Sequence, residues 1–238
     1  MKSLFAGASL AILALAACSP TPAPEAAAPV AAAAEVAAPT PAVIASPAGD
    51  YASDPNHSSV EFKLEHLSLS SYALKFRTYD ATVSFDPANI AASKVTATIE
   101  PSDILAGYPG DYVANHPGTK FTSWEDDLAN STNFLDARQF PAITFVSTSV
   151  EPSGERSAKV TGDLTLKGVT KPVTLEVTFS GETASHPFSK VPALGFSATG
   201  SFKRSDFGVD YLKGMVGDDV AVEIEGDFIQ KVAPAPVQ

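Results

Sequence analysis

Hydrophobic and polar residues alternate in short runs along most of this chain. In residues 59–66, Val60, Phe62, Leu64 and His66 alternate with serine, glutamate and lysine. Successive side chains of a β-strand point to opposite faces, so this period of two predicts a strand with one apolar and one polar face. The same period appears in residues 95–99, 160–166, 173–179 and 220–225 and, less regularly, in residues 81–85, 143–150 and 195–202. Eight strands are therefore predicted.

Turn residues connect two of these runs directly. Residues 167–172 (KGVTKP) contain a glycine, which tolerates unusual backbone angles, and a proline at the edge of the next strand. This segment predicts a β-hairpin. Repeated short strands with turns between them favour an all-β fold, either an eight-stranded antiparallel barrel or a sandwich of two sheets. Alternation alone does not reveal closure, so both remain open at this point.

The apolar faces of the strands could point inward to a core or outward to lipid. Strands that span a membrane need about 9 to 11 residues, with aromatic girdles at both ends. The alternating runs here are shorter and lack such girdles. We therefore predict that the apolar face points inward.

Residues 102–139 interrupt the alternation. They contain Tyr108, Tyr112, Phe121, Trp124 and Phe134, together with several prolines and glycines. Long irregular insertions on a compact domain are often functional. The segment predicts either a lid or plug, or a set of aromatic side chains that closes one end of the core, and residues 126–130 predict a short helical turn.

Residues that carry chemistry are sparse. The four histidines, His57, His66, His116 and His186, lack the spacing of metal ligands, and no serine, cysteine or phosphate-binding motif of a familiar enzyme is present. His66 shares the inward phase of its strand, which predicts either a buried, hydrogen-bonded histidine or a ligand contact. We therefore predict no metal and no cofactor.

Two charged groups remain as candidates. Asp126, Asp127 and Asp136 cluster in the insertion, where carboxylates usually cap helices or face solvent. Arg204 and Asp206 are two residues apart, so in extended chain they would form an ion pair at the barrel rim, either as a structural clasp or as part of a site.

The first eighteen residues resemble a bacterial lipoprotein signal. A single Lys2 precedes an apolar run over residues 4–17, and Leu15-Ala16-Ala17-Cys18 contains the one cysteine of the chain. This predicts a signal peptide over residues 1–18 and acylation of Cys18, including a palmitate-type chain, with ordinary cleavage elsewhere as the alternative. Ser19 after the cysteine resembles the sorting signal for the outer membrane, so the predicted location is the periplasm, anchored to that membrane.

Composition separates the rest of the chain into segments. Residues 19–50 consist mainly of alanine and proline and predict a disordered tether, because they lack the large apolar residues of a core. Residues 51–231 form the predicted barrel domain, and residues 232–238 form a disordered tail. The formal net charge of −11 excludes a nucleic-acid partner.

Several motifs make the domain similar to the YceI-like family. They are residues 54–58 (DPNHS), 60–62 (VEF), 85–87 (FDP), 133–136 (NFLD), 140–141 (FP), 145–148 (FVST), 162–173 (GDLTLKGVTKPV) and 204–208 (RSDFG). The resemblance implies a lipocalin-like barrel whose elongated apolar cavity takes polyisoprenoid or quinone-type lipids. Many relatives place Arg-Asp and His-Leu pairs before the Asn-Phe motif, whereas this chain has WEDDL at residues 124–128.

With that resemblance, the inward positions become predicted ligand contacts. They are Phe62, Leu64, His66, Phe76, Val83, Phe85, Ile99, Trp124, Phe134, Phe145, Leu164, Leu175, Val177, Phe196, Val222 and Ile224, with Arg77 and Arg204 as predicted head-group contacts. The small inward residues Ala97, Gly162, Ala198 and Gly200 would leave room in the lumen, since an eight-stranded barrel is just wide enough for one small ligand.

The predicted function is non-catalytic binding of an amphiphilic isoprenoid-type lipid, as a carrier or reservoir. Two alternatives stay open. One is a small-molecule modifying enzyme with a site in the insertion that includes His116, Asp126 and Asp127, and the other is a filled barrel that acts as an interaction module. The predicted partners are the lipid, the membrane through the acyl anchor and a second copy of the chain in a homodimer.

Overall fold

The computed structural model describes residues 43–231, which form an almost entirely β-sheet structure. The signal peptide, Cys18, most of the tether and the predicted tail lie outside these residues. The strands are β1 Gly49–His66, β2 Ser70–Phe76, β3 Tyr79–Phe85, β4 Lys94–Ile99, β5 Ile104–Leu105, β6 Ile143–Pro152, β7 Ser157–Leu166, β8 Val169–Thr183, β9 Ala193–Lys203 and β10 Val216–Gln230. Two short helices, α1 Tyr112–Asn115 and α2 Trp124–Asn130, lie in the insertion.

The strands form one closed antiparallel barrel. Their order is β10-β9-β8-β7-β6-β4-β3-β1, and an additional pairing of β10 with β1 completes the ring. The eight strands of this ring are the eight that alternation predicts, so the barrel is confirmed over the sandwich. The pairing of β10 with β1 joins the two ends of the eight-stranded order, which is how a closed barrel removes the edges of a sheet.

The first strand is longer than its alternation predicts and, on the edge opposite β10, pairs with two strands. Its beginning pairs with β3, from Gly49 opposite Phe85, and its end pairs with β2, from Val60 opposite Phe76. Strands β2 and β3 therefore lie one after the other along β1. Strand β2 is not among the eight predicted strands, although Tyr72, Leu74 and Phe76 alternate with smaller or polar residues.

The predicted hairpin is present, with a tighter turn than expected. Leu166 pairs with Val169, so that only Lys167 and Gly168 make the turn, and both have positive φ, at 51° and 75°. Positive φ at both central positions matches the twist of the flanking strands. Pro172 lies within β8, opposite Asp163.

Apolar side chains gather in two clusters, one toward each end of the barrel. The first surrounds Leu74, Phe76, Ile104, Leu128 and Phe207 and includes residues of the insertion. The second consists of Tyr51, Val83, Phe85, Phe179, Leu194 and Phe228. We call the first end the insertion end, because strand register places there the segments 67–69, 100–142, 167–168 and 204–215. We call the second end the terminal end, and it contains the segments 43–48, 86–93, 153–156 and 184–192.

Residues that precede position 51 also contact the barrel. Strand β1 starts at Gly49, and the backbone N–H groups of Ala45 and Ser46 donate to the Glu182 carboxylate over 2.9 and 2.7 Å. The last residues of the predicted tether therefore pack on the terminal end. Among the described residues, no helix has both the length and the apolarity needed to cross a membrane.

Candidate functional site

The barrel encloses a lumen of about 640 Å³ that is almost wholly apolar. All sixteen predicted contact residues line it, from Phe62 and Leu64 on β1 to Val222 and Ile224 on β10. Every strand of the ring contributes, because each one turns alternate side chains inward. The inward direction of the apolar face is therefore confirmed, whereas contact of these residues with a ligand stays a prediction.

Many inward side chains remain partly accessible. Along the middle of β10, the inward residues Val222 and Ile224 are half-buried, while their outward neighbours Ala221 and Glu223 are exposed. Inward residues of a filled barrel would be buried like an ordinary core, at a packing density that leaves few voids larger than a water molecule. The open lumen therefore argues against the filled-barrel alternative.

Small residues contribute to the lumen in two ways. Ala97 and Ala198 line it directly. A Cβ atom at Gly162 would lie 2.4 Å from the Phe145 ring, and one at Gly200 would lie 2.6 Å from Leu175 Cδ2. The space that a side chain would occupy at these two glycines is therefore filled by Phe145 and Leu175. Because the glycines have no side chain, Phe145 and Leu175 can lie flat against the barrel wall.

The insertion covers part of one end of the lumen. Trp124, Leu128, Phe134 and Leu135 line the lumen and pack against the core cluster of that end. Trp124 Nε1 donates to Tyr72 Oη over 2.9 Å, which fixes α2 to β2. This packing favours the interpretation that the aromatic residues close one end of the core.

A second group of aromatic residues lies on the outer side of Trp124. The Tyr112 ring lies 5.7 Å from the Trp124 ring and 4.3 Å from the His116 ring, on which it stacks. Burial and the hydrogen bond to Asp127 raise the pKa of Tyr112 to about 12. This tyrosine therefore stays neutral at physiological pH and acts as a donor to Asp127.

The lumen opens to solvent at the insertion end. Four lining residues there are exposed, namely Glu65, His66, His116 and Tyr211. We call this opening the mouth. The interpretation of His66 as a buried histidine is wrong, since it ends β1 at the mouth, where solvent reaches it.

Arg204 is buried and bound to the backbone. Its guanidinium donates to the carbonyls of Val209, Tyr211, Val216 and Gly217 over 2.7 to 3.0 Å. Four of its five N–H groups are thus satisfied within the protein, which supports the clasp alternative over a head-group contact. No Arg204–Asp206 ion pair forms in the described part of the chain, because residues Arg204–Phe207 form a 3₁₀ turn and not an extended strand.

Arg77 lies on the outer surface. Its side chain is 61% exposed and pairs with Asp103 over 2.6 Å. It does not line the lumen of the described barrel. Neither arginine that the sequence offers as a head-group contact therefore points a free guanidinium into the cavity.

Tyr79 was missed by sequence analysis and carries an unsatisfied polar atom. It lines the lumen, and its buried hydroxyl has no hydrogen-bond partner among the described residues. Burial raises the pKa of the Tyr79 hydroxyl, and the nearby Ser58 offsets part of this rise. The Ser58 hydroxyl itself donates to the Asp227 carbonyl over 3.4 Å. A buried donor without a partner costs about 1–3 kcal/mol, so a ligand oxygen would be favoured beside it.

The carboxylates of the insertion have structural partners. Asp126 lies in the first turn of α2 and accepts from the Thr122 backbone and from Asn130 over 2.9 and 2.8 Å. Asp136 is buried in a turn with φ of 49°. Of the residues proposed for an enzyme, only His116 lines the lumen within residues 43–231, and no cluster of three or more His, Cys, Asp or Glu there could hold a metal ion.

Comparison with known proteins agrees with this architecture. A family model described as the YceI-like domain matches residues 51–228. A UPF0312 protein of Pseudomonas savastanoi pv. phaseolicola is 35% identical over 186 residues, which cover 77% of this chain and 88% of that protein.

Solved structures share the fold. BcnA of Burkholderia cenocepacia is 25% identical, with a TM-score of 0.61, and the match covers 74% of this chain and 98% of that one. A polyisoprenoid binding domain from Saccharophagus degradans, implicated in plant cell wall breakdown, matches with a TM-score of 0.51 over 76% of this chain and 98% of its own, at 11% identity. At that identity the likeness concerns the fold alone.

Proposed function

Because this chain belongs to the YceI-like family, we propose that it binds one amphiphilic isoprenoid-type lipid noncovalently in the barrel lumen, without catalysis. The observation that carries the proposal is the enclosed apolar lumen of about 640 Å³ with a mouth at one end. Its volume falls in the usual range of small-molecule sites, about 300–1,000 Å³.

Hydrophobic burial supplies the affinity in this proposal. A prenyl chain in the lumen would remove its own apolar surface and that of half-buried residues such as Val222 and Ile224 from water. Each Å² of apolar surface removed contributes about 25 cal/mol, so a chain that buries a few hundred Å² would bind without any charged contact. This agrees with the absence of a free guanidinium in the lumen of the described barrel.

One polar feature favours a ligand with an oxygen atom over a pure hydrocarbon. The unsatisfied Tyr79 hydroxyl is the donor that a quinone carbonyl or an alcohol oxygen would accept from. The Saccharophagus degradans domain, which shares the fold, is a polyisoprenoid binding domain. The proposed ligand is therefore a polyisoprenoid or quinone-type lipid.

We place this activity in the periplasm, where the protein serves as a carrier or reservoir. The support is the predicted signal peptide and the predicted acylation of Cys18. An acyl anchor would hold the lumen near the membrane that supplies the lipid, and two or more chains give stable attachment.

The test narrows the lumen at one position. Ala198 lies in the lumen wall between Val177 and Ile224, so Ala198→Leu would fill the space that a chain needs. The matched control is Ala221→Leu, which adds the same atoms on the outer face of β10. Lipids extracted from each purified protein are identified by mass spectrometry, and uptake of a fluorescent prenyl analogue is titrated.

We expect wild type and Ala221→Leu to carry prenyl lipid and to take up the analogue, while Ala198→Leu does neither. The protein purified from its own membrane without lipid, and unable to take up the analogue, would overturn the proposal. Equal uptake by the two leucine variants would place binding outside the lumen.

A further inference from the structure

The loops around the mouth expose large apolar side chains to water. Leu67, Leu69, Tyr211 and Met215 are from 45% to 83% exposed, and Leu69 is the most exposed of the four. We call these four residues the apolar rim. Exposed apolar patches that surround an opening usually mark an interaction surface.

The rim is a single structure and not four separate side chains. The Leu67 backbone N–H donates to the Met215 carbonyl over 2.7 Å, which joins the β1–β2 turn to the loop before β10. The Tyr211 ring packs against the Phe134 ring with centroids 5.5 Å apart. The Arg204 clasp holds the Tyr211 and Val216 carbonyls. The rim residues are therefore held in place around the opening.

The rim is continuous with the lumen. His66 and Val216, which pair across β1 and β10, line the lumen and are the chain neighbours of Leu67 and Met215. Tyr211 belongs to both surfaces, because it is exposed and also lines the lumen. An apolar ligand that leaves the lumen would meet the rim first.

The turn that carries Leu67 does not require an apolar residue. Leu67 and Ser68 have φ of 55° and 56°, and the Leu69 N–H donates to the His66 carbonyl over 3.0 Å. Turns with two positive φ values favour asparagine, aspartate and glycine, and a left-handed conformation costs a residue such as leucine about 1–2 kcal/mol. Leucine at position 67 is unfavourable for two reasons, because it adopts a left-handed backbone conformation and because its apolar side chain is exposed to water. Contact of this side chain with a binding partner would explain why a leucine is present.

We propose that the apolar rim inserts into the surface of a phospholipid bilayer, so that lipid passes between bilayer and lumen without crossing water. This inference rests on the proposed function, since it assigns the source of the lipid. The loop between Val209 and Val216 contains one aspartate and one lysine, and the whole chain carries −11, so attraction to anionic head groups would not drive binding. The partner is therefore the hydrocarbon border of a zwitterionic bilayer.

The test uses the fact that the chain contains one cysteine, Cys18. In full-length Cys18→Ala protein, Leu69→Cys or Phe188→Cys provides a single position for an environment-sensitive fluorophore. Phe188 is 82% exposed in the β8–β9 loop at the terminal end, so it matches Leu69 in exposure and lies away from the mouth. Each labelled protein is mixed with phosphatidylcholine vesicles, and emission is recorded.

We expect a blue-shifted, stronger emission from the label at position 69 and an unchanged emission from the label at position 188. Leu67→Asn with Met215→Gln should lower the vesicle affinity of the first protein about tenfold or more, since two apolar side chains no longer enter the bilayer. The control pair Val43→Gln with Val146→Thr changes exposed apolar residues away from the mouth and should leave that affinity unchanged.

Failure of this inference is distinguishable from failure of the proposed function, because prenyl-analogue uptake is titrated on the same proteins without vesicles. Uptake with no emission change at position 69 would overturn docking and leave lipid binding intact. An emission change at position 69 without uptake would support docking and overturn the lumen as a lipid site. Equal changes at positions 69 and 188 would show adsorption without orientation and would overturn docking.

Discussion

Arg204 illustrates how a charged residue near a cavity can serve the fold and not the ligand. Its guanidinium donates to four backbone carbonyls, two in the loop before β10 and two in the first residues of β10. Loops without regular structure leave such carbonyls unpaired, and a buried unpaired carbonyl is costly. One arginine fork replaces the hydrogen bonds that a longer strand would have made.

We predict that Arg204→Met destabilises the protein by about 3 kcal/mol or more, because it leaves several buried carbonyls without a donor. The measurement is chemical denaturation followed by circular dichroism. Arg77→Met is the control, since the exposed Arg77–Asp103 pair contributes about 1 kcal/mol or less. Similar midpoints for the two variants would contradict the clasp.

Sequence predicts side-chain direction better than it predicts side-chain partners. Alternation placed Phe145 and Leu164 in the lumen because the strand period is a property of the backbone. It could not show that the Arg204 donors would meet carbonyls up to 13 residues away, or that His66 would end its strand at an opening. Those outcomes depend on how loops fold over the end of the barrel.

At the scale of elements, α2 is specified by its own sequence. Ser123 accepts from the Asp126 backbone over 3.0 Å, and Glu125, Asp126 and Asp127 occupy the first turn, where negative charge complements the helix dipole. The sequence predicts a turn over residues 126–130, and the helix begins two residues earlier. Strand β5, with two residues, is too short to give any periodic signal.

The hydrogen bond from the Thr122 backbone lowers the pKa of Asp126 in the folded state. Its stabilising contribution is therefore complete above the unfolded-state pKa, near 4, and is lost as pH falls through the lower folded-state pKa. We predict that Asp126→Asn costs about 1 kcal/mol at pH 7 and that its difference from wild type shrinks below about pH 4.

The measurement is urea denaturation at a series of pH values, with fluorescence of Trp124 as the local signal, since the chain has a single tryptophan. Asp80→Asn, an exposed carboxylate on the outer face of β3, is the control. A difference between wild type and Asp126→Asn that stays constant down to pH 3 would contradict this role of the carboxylate.

At the scale of the whole molecule, the alternation of polar and apolar residues does not predict that the barrel closes. Both a sandwich and a barrel contain strands with the same alternation, and only the pairing of β1 with β10 distinguishes them. The motifs shared with the YceI-like family favour the barrel of these two architectures. The volume of the lumen could not be predicted, because it depends on how closely Phe145 and Leu175 lie against the wall.

The predicted signal peptide gives a test of attachment that is separate from ligand binding. We predict that wild type incorporates labelled palmitate and that Cys18→Ala does not, because the acyl chains have no other thiol in the chain. Ser19→Ala is the control and should retain the label. Prenyl-analogue uptake should be the same in all three proteins, and palmitate incorporation by Cys18→Ala would contradict the lipobox prediction.

Both ends of the described chain leave the barrel on the side away from the mouth. Tyr51 pairs with Gln230, and the Lys231 backbone N–H donates to the Asp50 carbonyl over 2.7 Å, so the first and last strands begin and end together. The chain that precedes residue 43 and the chain that follows residue 231 are therefore both connected to the barrel at its terminal end. The two ends of the described chain and the mouth are therefore on opposite sides of the barrel, so a reporter fused after residue 231 would leave the mouth free.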